Sequence, residues 1–106
     1  MSKFEIAANA IKASGSQGAK MTDDELLQIY GLYKQATVGD NNTNKPGILD
    51  PKGRKKHDAW TACKGKSKEQ AEAEYVALAV TFLNKYGQNV PAELSAWSYH
   101  ELIGYL

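Results

Sequence analysis

The chain has one cysteine, three prolines and no long apolar run, and these shortages exclude several classes of protein. With Cys63 alone, neither an internal disulfide nor a cysteine-based zinc cage can form. No apolar stretch approaches the length that spans a membrane, so we expect no stable membrane insertion. The amino terminus lacks the apolar core and cleavage site of a secretory signal, which predicts an intracellular, cytoplasmic protein.

A large charge of one sign is also missing, because 13 basic and 12 acidic residues leave a net charge of +1. A general attraction to nucleic acid is therefore not expected, and any phosphate site must come from lysines that cluster locally. The length of 106 residues and the 42% hydrophobic content are typical of one small globular domain.

Strand-like alternation of polar and apolar residues is absent, whereas helix signals recur along the chain. The first helical segment has apolar residues at helical spacing and is expected to stop at Gly15. Two capping boxes, Thr22–Glu25 and Ser67–Gln70, open the second and fourth helices. The second helix is expected to end near Gly39.

A third helix is expected to begin at Lys52 or Gly53 and to close at Gly65. The fourth carries one apolar stripe and stops at Gly87; the stripe consists of Ala71, Tyr75, Leu78 and Phe82. Between the second and third helices, the segment ending at Asp50 is rich in Asn, Gly and Pro, which favours a long ordered loop. These features predict an all-α fold, a small four-helix bundle.

The composition changes after residue 89, so we divide the chain into a domain, 1–89, and a carboxyl-terminal extension, 90–106. Pro91 and Glu93 are typical of a helix start. We expect a helix from Pro91 to Ile103 that packs on the chain's own bundle with Trp97 as its anchor. Pairing with another chain and contact with a membrane are the alternatives.

One stretch combines aromatic and cationic groups. Tyr30, Tyr33 and Lys34 are neighbours on one face of the second helix, and Tyr75 on the fourth helix can face them. A basic run, 52–56, opens the third helix, where free backbone N–H groups also favour phosphate. The tyrosines can equally be core residues with their hydroxyls at the rim, and the basic run a solvated face. If they act together, they suit an aromatic, phosphorylated ligand.

Signatures of catalysis are poor. The serines lack a nucleophile-elbow context, and the glycines form no phosphate-binding loop of the P-loop type. His57 and His100 belong to no metal-binding pair, and Cys63 fits a buried, inert thiol. We therefore expect a binding protein, with neither enzymatic activity nor a cofactor or metal.

The sequence resembles the acyl-CoA-binding protein family from residue 1 to about residue 87. The strongest likeness is Tyr30-Gly-Leu-Tyr-Lys-Gln-Ala-Thr-Val-Gly-Asp40, followed by Pro46-Gly47, Leu49-Asp50, Asp58-Ala-Trp60 and Lys85-Tyr-Gly87. The resemblance implies an antiparallel four-helix bundle in up-down-down-up order. It also implies non-catalytic binding, protection and transport of long-chain fatty acyl-CoA by a monomer.

By the same resemblance, two sets of residues hold the ligand. The residues implied to bind the adenine, ribose and 3′-phosphate of the headgroup are Tyr30, Tyr33, Lys34, Lys56, Tyr75 and Lys12. The residues implied to line the acyl groove are Phe4, Ala7, Ala8, Leu26 and Leu27.

Three features depart from the family pattern. The connection from Ser14 to Met21 is longer than usual, His57 stands where the family commonly has Trp, and Pro51 stands where Phe is common.

A regulatory interaction module, dimeric or membrane-docked through the Trp97 segment, is the alternative function.

Overall fold

A computed structural model describes residues 1–94, which fold as an all-α bundle without a strand in that part of the chain. The antiparallel up-down-down-up four-helix fold expected from the sequence is confirmed. The helices are α1 (Lys3–Ser16), α2 (Asp23–Thr37), α3 (Pro51–Thr61) and α4 (Lys68–Lys85).

Side chains at the helix starts satisfy free backbone N–H groups. The capping box of α2 is complete, because Thr22 Oγ1 accepts from the N–H of Glu25 at 3.2 Å and the Glu25 carboxylate accepts from the N–H of Thr22 at 2.9 Å. The box predicted for α4 is only half formed. Ser67 Oγ accepts from the N–H of Gln70 at 3.0 Å, but the Gln70 amide donates forward to Glu74 at 2.9 Å.

Two helices have boundaries that differ from the prediction. Helix α1 continues through Gly15 to Ser16, because one helical glycine is tolerated where no side chain is needed. Helix α3 begins at Pro51, where the missing N–H is harmless, and Asp50 caps the N–H of Gly53 at 2.9 Å. Helix α3 ends at Thr61. Residues 62–65 form tighter turns, and the last of them, Gly65, has a φ of +93°.

The helices share an uneven core. Helix α4 packs against α1 and α2, whereas α3 packs against α2 alone among the described helices. The buried cluster joins α1, α2 and α4 around Ala7, Ile29, Ala79 and Leu83. Because α3 has a single neighbour, a cleft remains open along its contact with α2.

The loop between α2 and α3 is fastened to α3. Trp60 Nε1 donates to the carbonyl of Gly39 at 2.7 Å, and Arg54 Nη1 donates to the carbonyl of Pro46 at 3.1 Å. His57 Nε2 lies 3.0 Å from the carbonyl oxygen of Thr43. The loop is thus an ordered connection that fixes the start of α3.

After α4 the chain returns to the core. Leu94 is buried in the cluster that joins α1, α2 and α4, and Val90 packs against this cluster. The N–H of Leu94 donates to the carbonyl of Pro91 at 2.9 Å. The boundary at residue 89 stays a prediction. The helix predicted from Pro91 to Ile103 and its anchor Trp97 lie largely outside the described residues. Within residues 1–94, no helix is long and apolar enough to cross a membrane.

Candidate ligand-binding cleft

A cleft of about 610 Å³ lies between α2 and α3. Its apolar wall comes from α2, through Leu26, Leu27 and Tyr30, and its cationic wall comes from the first turns of α3. The complete lining is Asp23, Leu26, Leu27, Tyr30, Pro51, Lys52, Lys55 and Lys56. The arrangement offers apolar surface and positive charge side by side, as an amphiphilic anion requires.

Two lysines at the contact of α2 and α3 stand next to aromatic rings; Lys56 lines the cleft, whereas Lys34 does not. Lys56 Nζ lies 5.6 Å from the ring centre of Tyr30, and Lys34 Nζ lies 4.9 Å from that of Trp60. Both distances are within the range of cation–π attraction. Among the described residues, the ammonium groups of Lys34 and Lys56 have no carboxylate partner. They are therefore available to a phosphate.

A second aromatic group joins three helices beside the cleft. Phe4 stacks on Tyr33 at 5.7 Å between ring centres and meets Tyr75 edge-on at 5.1 Å. Tyr33 and Tyr75 lie 6.2 Å apart. Tyr33 is exposed, whereas Tyr75 is only 2% exposed. Burial, with the nearby Tyr33, raises the pKa of Tyr75 to about 12, so it remains a neutral phenol at physiological pH.

The remaining residues implied by the resemblance lie on α1. Ala7 is fully buried in the core, and Ala8 packs against that core from a half-buried position. Lys12 is exposed on the same helix and does not line the α2–α3 cleft. The structure thus brings Phe4 to Tyr33 and Tyr75, and Tyr30 to Lys56, but it gives Lys12 no contact with either group.

The two substitutions relative to the family pattern have different surroundings. Pro51 lines the cleft, so a small ring stands at its rim where a Phe is common. His57 does not line the cleft; it contacts the loop backbone at Thr43. Its role is to hold the loop.

Trp60 was not among the predicted site residues, although it contacts one of them. The Lys34 ammonium lies over the Trp60 ring, and the Trp60 indole N–H donates to the carbonyl of Gly39 in the loop. Trp60 thus contacts both the Lys34 side chain and the loop. The signal was present, because Lys56 and Trp60 are four residues apart and therefore share a face of α3.

A second groove, of about 730 Å³, lies between α2, the end of α3 and α4. Its rim carries the Lys66–Glu74 ion pair and its lining includes the buried Cys63, whose thiol pKa is raised by desolvation. No aromatic ring lines it, and its lysine is already paired. The α2–α3 cleft is therefore the better candidate, although it is smaller.

In residues 1–94, no group of three or more His, Cys, Asp or Glu side chains is arranged to hold a metal ion.

The structure is that of a small helical bundle with an open cleft whose walls are apolar on one side and cationic on the other. The chain belongs to the acyl-CoA-binding protein family, whose model, described as "Acyl CoA binding protein", matches residues 1–79.

Similar proteins come from distant organisms. An acyl-CoA-binding protein homolog of Drosophila melanogaster is 48% identical over 84 residues, which are 79% of this chain and 94% of that protein. The acyl-CoA-binding protein of Saccharomyces cerevisiae is 53% identical over 75 residues, 71% of this chain and 86% of that protein.

Solved structures agree. A crystal structure of an acyl-CoA-binding protein from Moniliophthora perniciosa is 40% identical, has a TM-score of 0.76, and matches 84% of this chain and 87% of that one. Acyl-CoA-binding protein 2 of Oryza sativa has a TM-score of 0.70 and is 38% identical, over 80% of this chain and 92% of that one.

Proposed function

We propose that this protein binds long-chain fatty acyl-CoA esters reversibly, protects the thioester and transports the ester without making or breaking a bond. The observation that carries the proposal is the α2–α3 cleft. It sets the apolar side chains of Leu26 and Leu27 beside the lysines of α3. Family membership supports the same ligand class.

The headgroup is assigned to the aromatic and cationic residues. Tyr30 and Lys56 form one contact pair, and Tyr33 and Tyr75 form another beside it. Stacking on a tyrosine suits the adenine, and the ammonium groups of Lys34 and Lys56 suit the 3′-phosphate. Lys12 is assigned a further headgroup contact on the resemblance alone.

The acyl chain is assigned to the apolar surface on α1 and α2. Leu26 is exposed and Leu27 is half-buried, so a bound chain removes their surface from water. Phe4, Ala7 and Ala8 on α1 are assigned to the acyl groove on the resemblance alone. A cytoplasmic location and a monomeric state remain predictions, as does the absence of enzymatic activity and of a cofactor.

Calorimetry with a series of acyl-CoA esters tests the proposal. Each methylene that enters the cleft contributes about 0.8 kcal/mol, so four more should strengthen binding by roughly 3 kcal/mol. Affinity should rise steeply with chain length and level off where the apolar surface ends. Equal affinity for all chain lengths, or tightest binding of free coenzyme A, would contradict the proposal and favour a nucleotide-binding module.

A further inference from the structure

Among the residues that the structure describes, the most exposed large aliphatic side chains lie together at the tip of the α2–α3 loop. Ile48 is 82% exposed and Leu49 is 95% exposed. They are the two central residues of a turn that is closed by the N–H of Asp50 donating to the carbonyl of Gly47 at 3.0 Å. We define residues 47–50 as the loop tip.

The loop tip is held in place rather than left free to fold back. On its amino-terminal side, Lys45 pairs with Asp58 at 3.0 Å and the carbonyl of Pro46 accepts from Arg54 at 3.1 Å. On its carboxyl-terminal side, Asp50 caps α3. These contacts fix both ends of the turn to α3, so the two aliphatic side chains point into solvent without a partner to cover them.

Positive charge is concentrated around the same tip. Residues 45–56 contain five of the 13 basic residues and one of the 12 acidic residues, a local charge of +4 in a chain whose net charge is +1. Lys45 and Asp50 are engaged in the contacts just described. Among the described residues, the exposed ammonium groups of Lys52 and Lys55 make no ion pair or hydrogen bond.

An exposed aliphatic pair beside unpaired lysines matches the chemistry of an anionic lipid surface. The aliphatic side chains can enter the boundary between headgroups and acyl chains, while the lysines remain among the anionic headgroups. A protein partner would need a shaped apolar counterpart, whereas a bilayer covers a protruding turn of any shape. Among the possible partners, the charge favours the bilayer.

The loop tip lies next to the cleft in the chain, so docking at the tip would place the cleft near the bilayer. Pro51, Lys52 and Lys55 line the cleft and directly follow the loop tip in the chain. A protein resting on its loop tip therefore brings the cleft to the bilayer, where long-chain acyl esters reside.

We propose that the loop tip, with Ile48 and Leu49 at its centre and Lys52 and Lys55 beside it, docks the protein peripherally on anionic membranes. The exchange role of this surface rests on the function proposed above, but docking itself requires no bound ligand.

Flotation with lipid vesicles tests the docking without acyl-CoA. The wild-type protein should float with vesicles of phosphatidylcholine mixed with phosphatidylserine, and less with phosphatidylcholine alone. Added salt should weaken binding, because the lysines act through a screened attraction. The double variant Ile48→Ser, Leu49→Ser should lose roughly tenfold in partitioning, the loss expected when two aliphatic side chains no longer enter the interface.

The matched control is Val38→Ser, which removes an exposed aliphatic side chain, 53% exposed, away from the tip. It should float like the wild-type protein, and circular dichroism should show equal helicity for all three proteins. Equal flotation of the double variant and the wild type, or no flotation of the wild type, would overturn the proposal. Loss of flotation on removing residues 95–106, with the tip variant unaffected, would overturn it as well.

Calorimetry in vesicle-free solution separates this proposal from the proposed function. The double variant should bind a soluble acyl-CoA ester with wild-type affinity. Weaker binding there would make the loop tip part of the ligand site and overturn the docking role. Failure of the wild type to bind any acyl-CoA would instead contradict the proposed function and leave the flotation result to be judged independently.

Discussion

At the scale of single residues, charge is used in two different ways. The lysines of the cleft have no carboxylate partner within the described residues, so their charge is available to a ligand. The carboxylate of Glu25, in contrast, is buried and accepts from Lys85 at 2.7 Å, from the Tyr86 hydroxyl and from the N–H of Thr22. The first arrangement leaves positive charge at the cleft, and the second joins α2 to the end of α4.

Removing either of two lysines assigned to the headgroup should weaken ligand binding. We expect Lys34→Ala and Lys56→Ala each to weaken acyl-CoA binding by roughly 1.5–3 kcal/mol, the range for hydrogen bonds to charged groups. Calorimetry should therefore give dissociation constants about ten- to a hundredfold higher. Lys20→Ala, an exposed lysine in the α1–α2 connection, is the control and should bind normally. Unchanged affinity in both Lys34→Ala and Lys56→Ala, with intact helicity, would remove these lysines from the site.

The Glu25 contacts should make stability depend on pH. The hydrogen bonds from Lys85, then Tyr86, then Thr22 lower the pKa of Glu25 from 4.5 to about 2. Because the folded-state pKa is lowered, the contribution to stability is complete above pH 4.5 and is lost as the pH falls towards 2. Glu25→Gln should therefore reduce the Tm at neutral pH, and its difference from the wild type should shrink below pH 4.5.

Thermal unfolding followed by circular dichroism measures this difference. Glu72→Gln on α4 provides a control that removes a carboxylate with no contact to the Glu25 group. A constant difference between Glu25→Gln and the wild type from neutral pH to pH 3 would mean that the carboxylate charge is not responsible.

At the scale of the elements, α3 depends on α2 for its position. The carboxyl-terminal end of α2 is tied to the two connections that flank α3 through Gln35, whose amide donates to Asp40 and to the carbonyl of Lys66, each at 2.8 Å. Asp40 also accepts from the N–H of Gly65, and these bonds lower its carboxyl pKa. One buried side chain thus joins the ends of the loop and of the α3–α4 turn.

The α2–α3 contact itself depends on Gly31. A Cβ atom at this position would lie 2.4 Å from the carbonyl oxygen of Ala59 and 3.3 Å from Cys63 Sγ. Since the nearest atom is backbone, Gly31→Ala should force α3 away from α2 and alter the cleft. We expect a loss of about 1–3 kcal/mol in the free energy of unfolding and weaker binding of acyl-CoA.

Gly15→Ala is a matched control, because Gly15 is also helical and its Cβ would meet nothing within 4 Å. That substitution should stabilise the protein by roughly 0.5–1 kcal/mol, the helix preference of Ala over Gly. Denaturant unfolding measures both changes. If the two variants were equally stable, the close approach of α2 and α3 would not be limiting.

At the scale of the whole molecule, the core extends beyond the part that the family model matches. That match ends at residue 79, yet Leu94 is only 7% exposed and belongs to the cluster that joins α1, α2 and α4. The segment after α4 therefore contributes to the hydrophobic core of the bundle through Leu94.

Truncating Leu94 should consequently lower global stability. We expect Leu94→Ala to reduce the free energy of unfolding by about 2 kcal/mol, the lower end for Leu→Ala in a core, because Leu94 joins the core from a turn outside the four helices. Glu93→Ala, its exposed neighbour, should have little effect. Acyl-CoA affinity should remain unchanged in both variants, since neither residue lines the cleft. Equal stability of the two variants would contradict a core role for Leu94.

The sequence by itself determined the local structure. Thr22 and Glu25 cap α2 because the capping box needs only residues three apart, and the helices follow from periodicity and from the resemblance to a known family. The pairing of aromatic and cationic residues on α2 was also visible, because neighbours at three and four residues share a face.

Only the tertiary structure decided the contacts between distant residues. The Trp60 ring lies against the Lys34 ammonium, and Leu94 packs in the core. The exposure of Ile48 and Leu49 could not be predicted from the sequence either, because aliphatic residues are usually buried and only the fold shows that these two are exposed. The physical reason is common to these cases: hydrogen bonds and burial depend on which groups the folded chain brings within a few ångströms, and sequence spacing defines that only within an element.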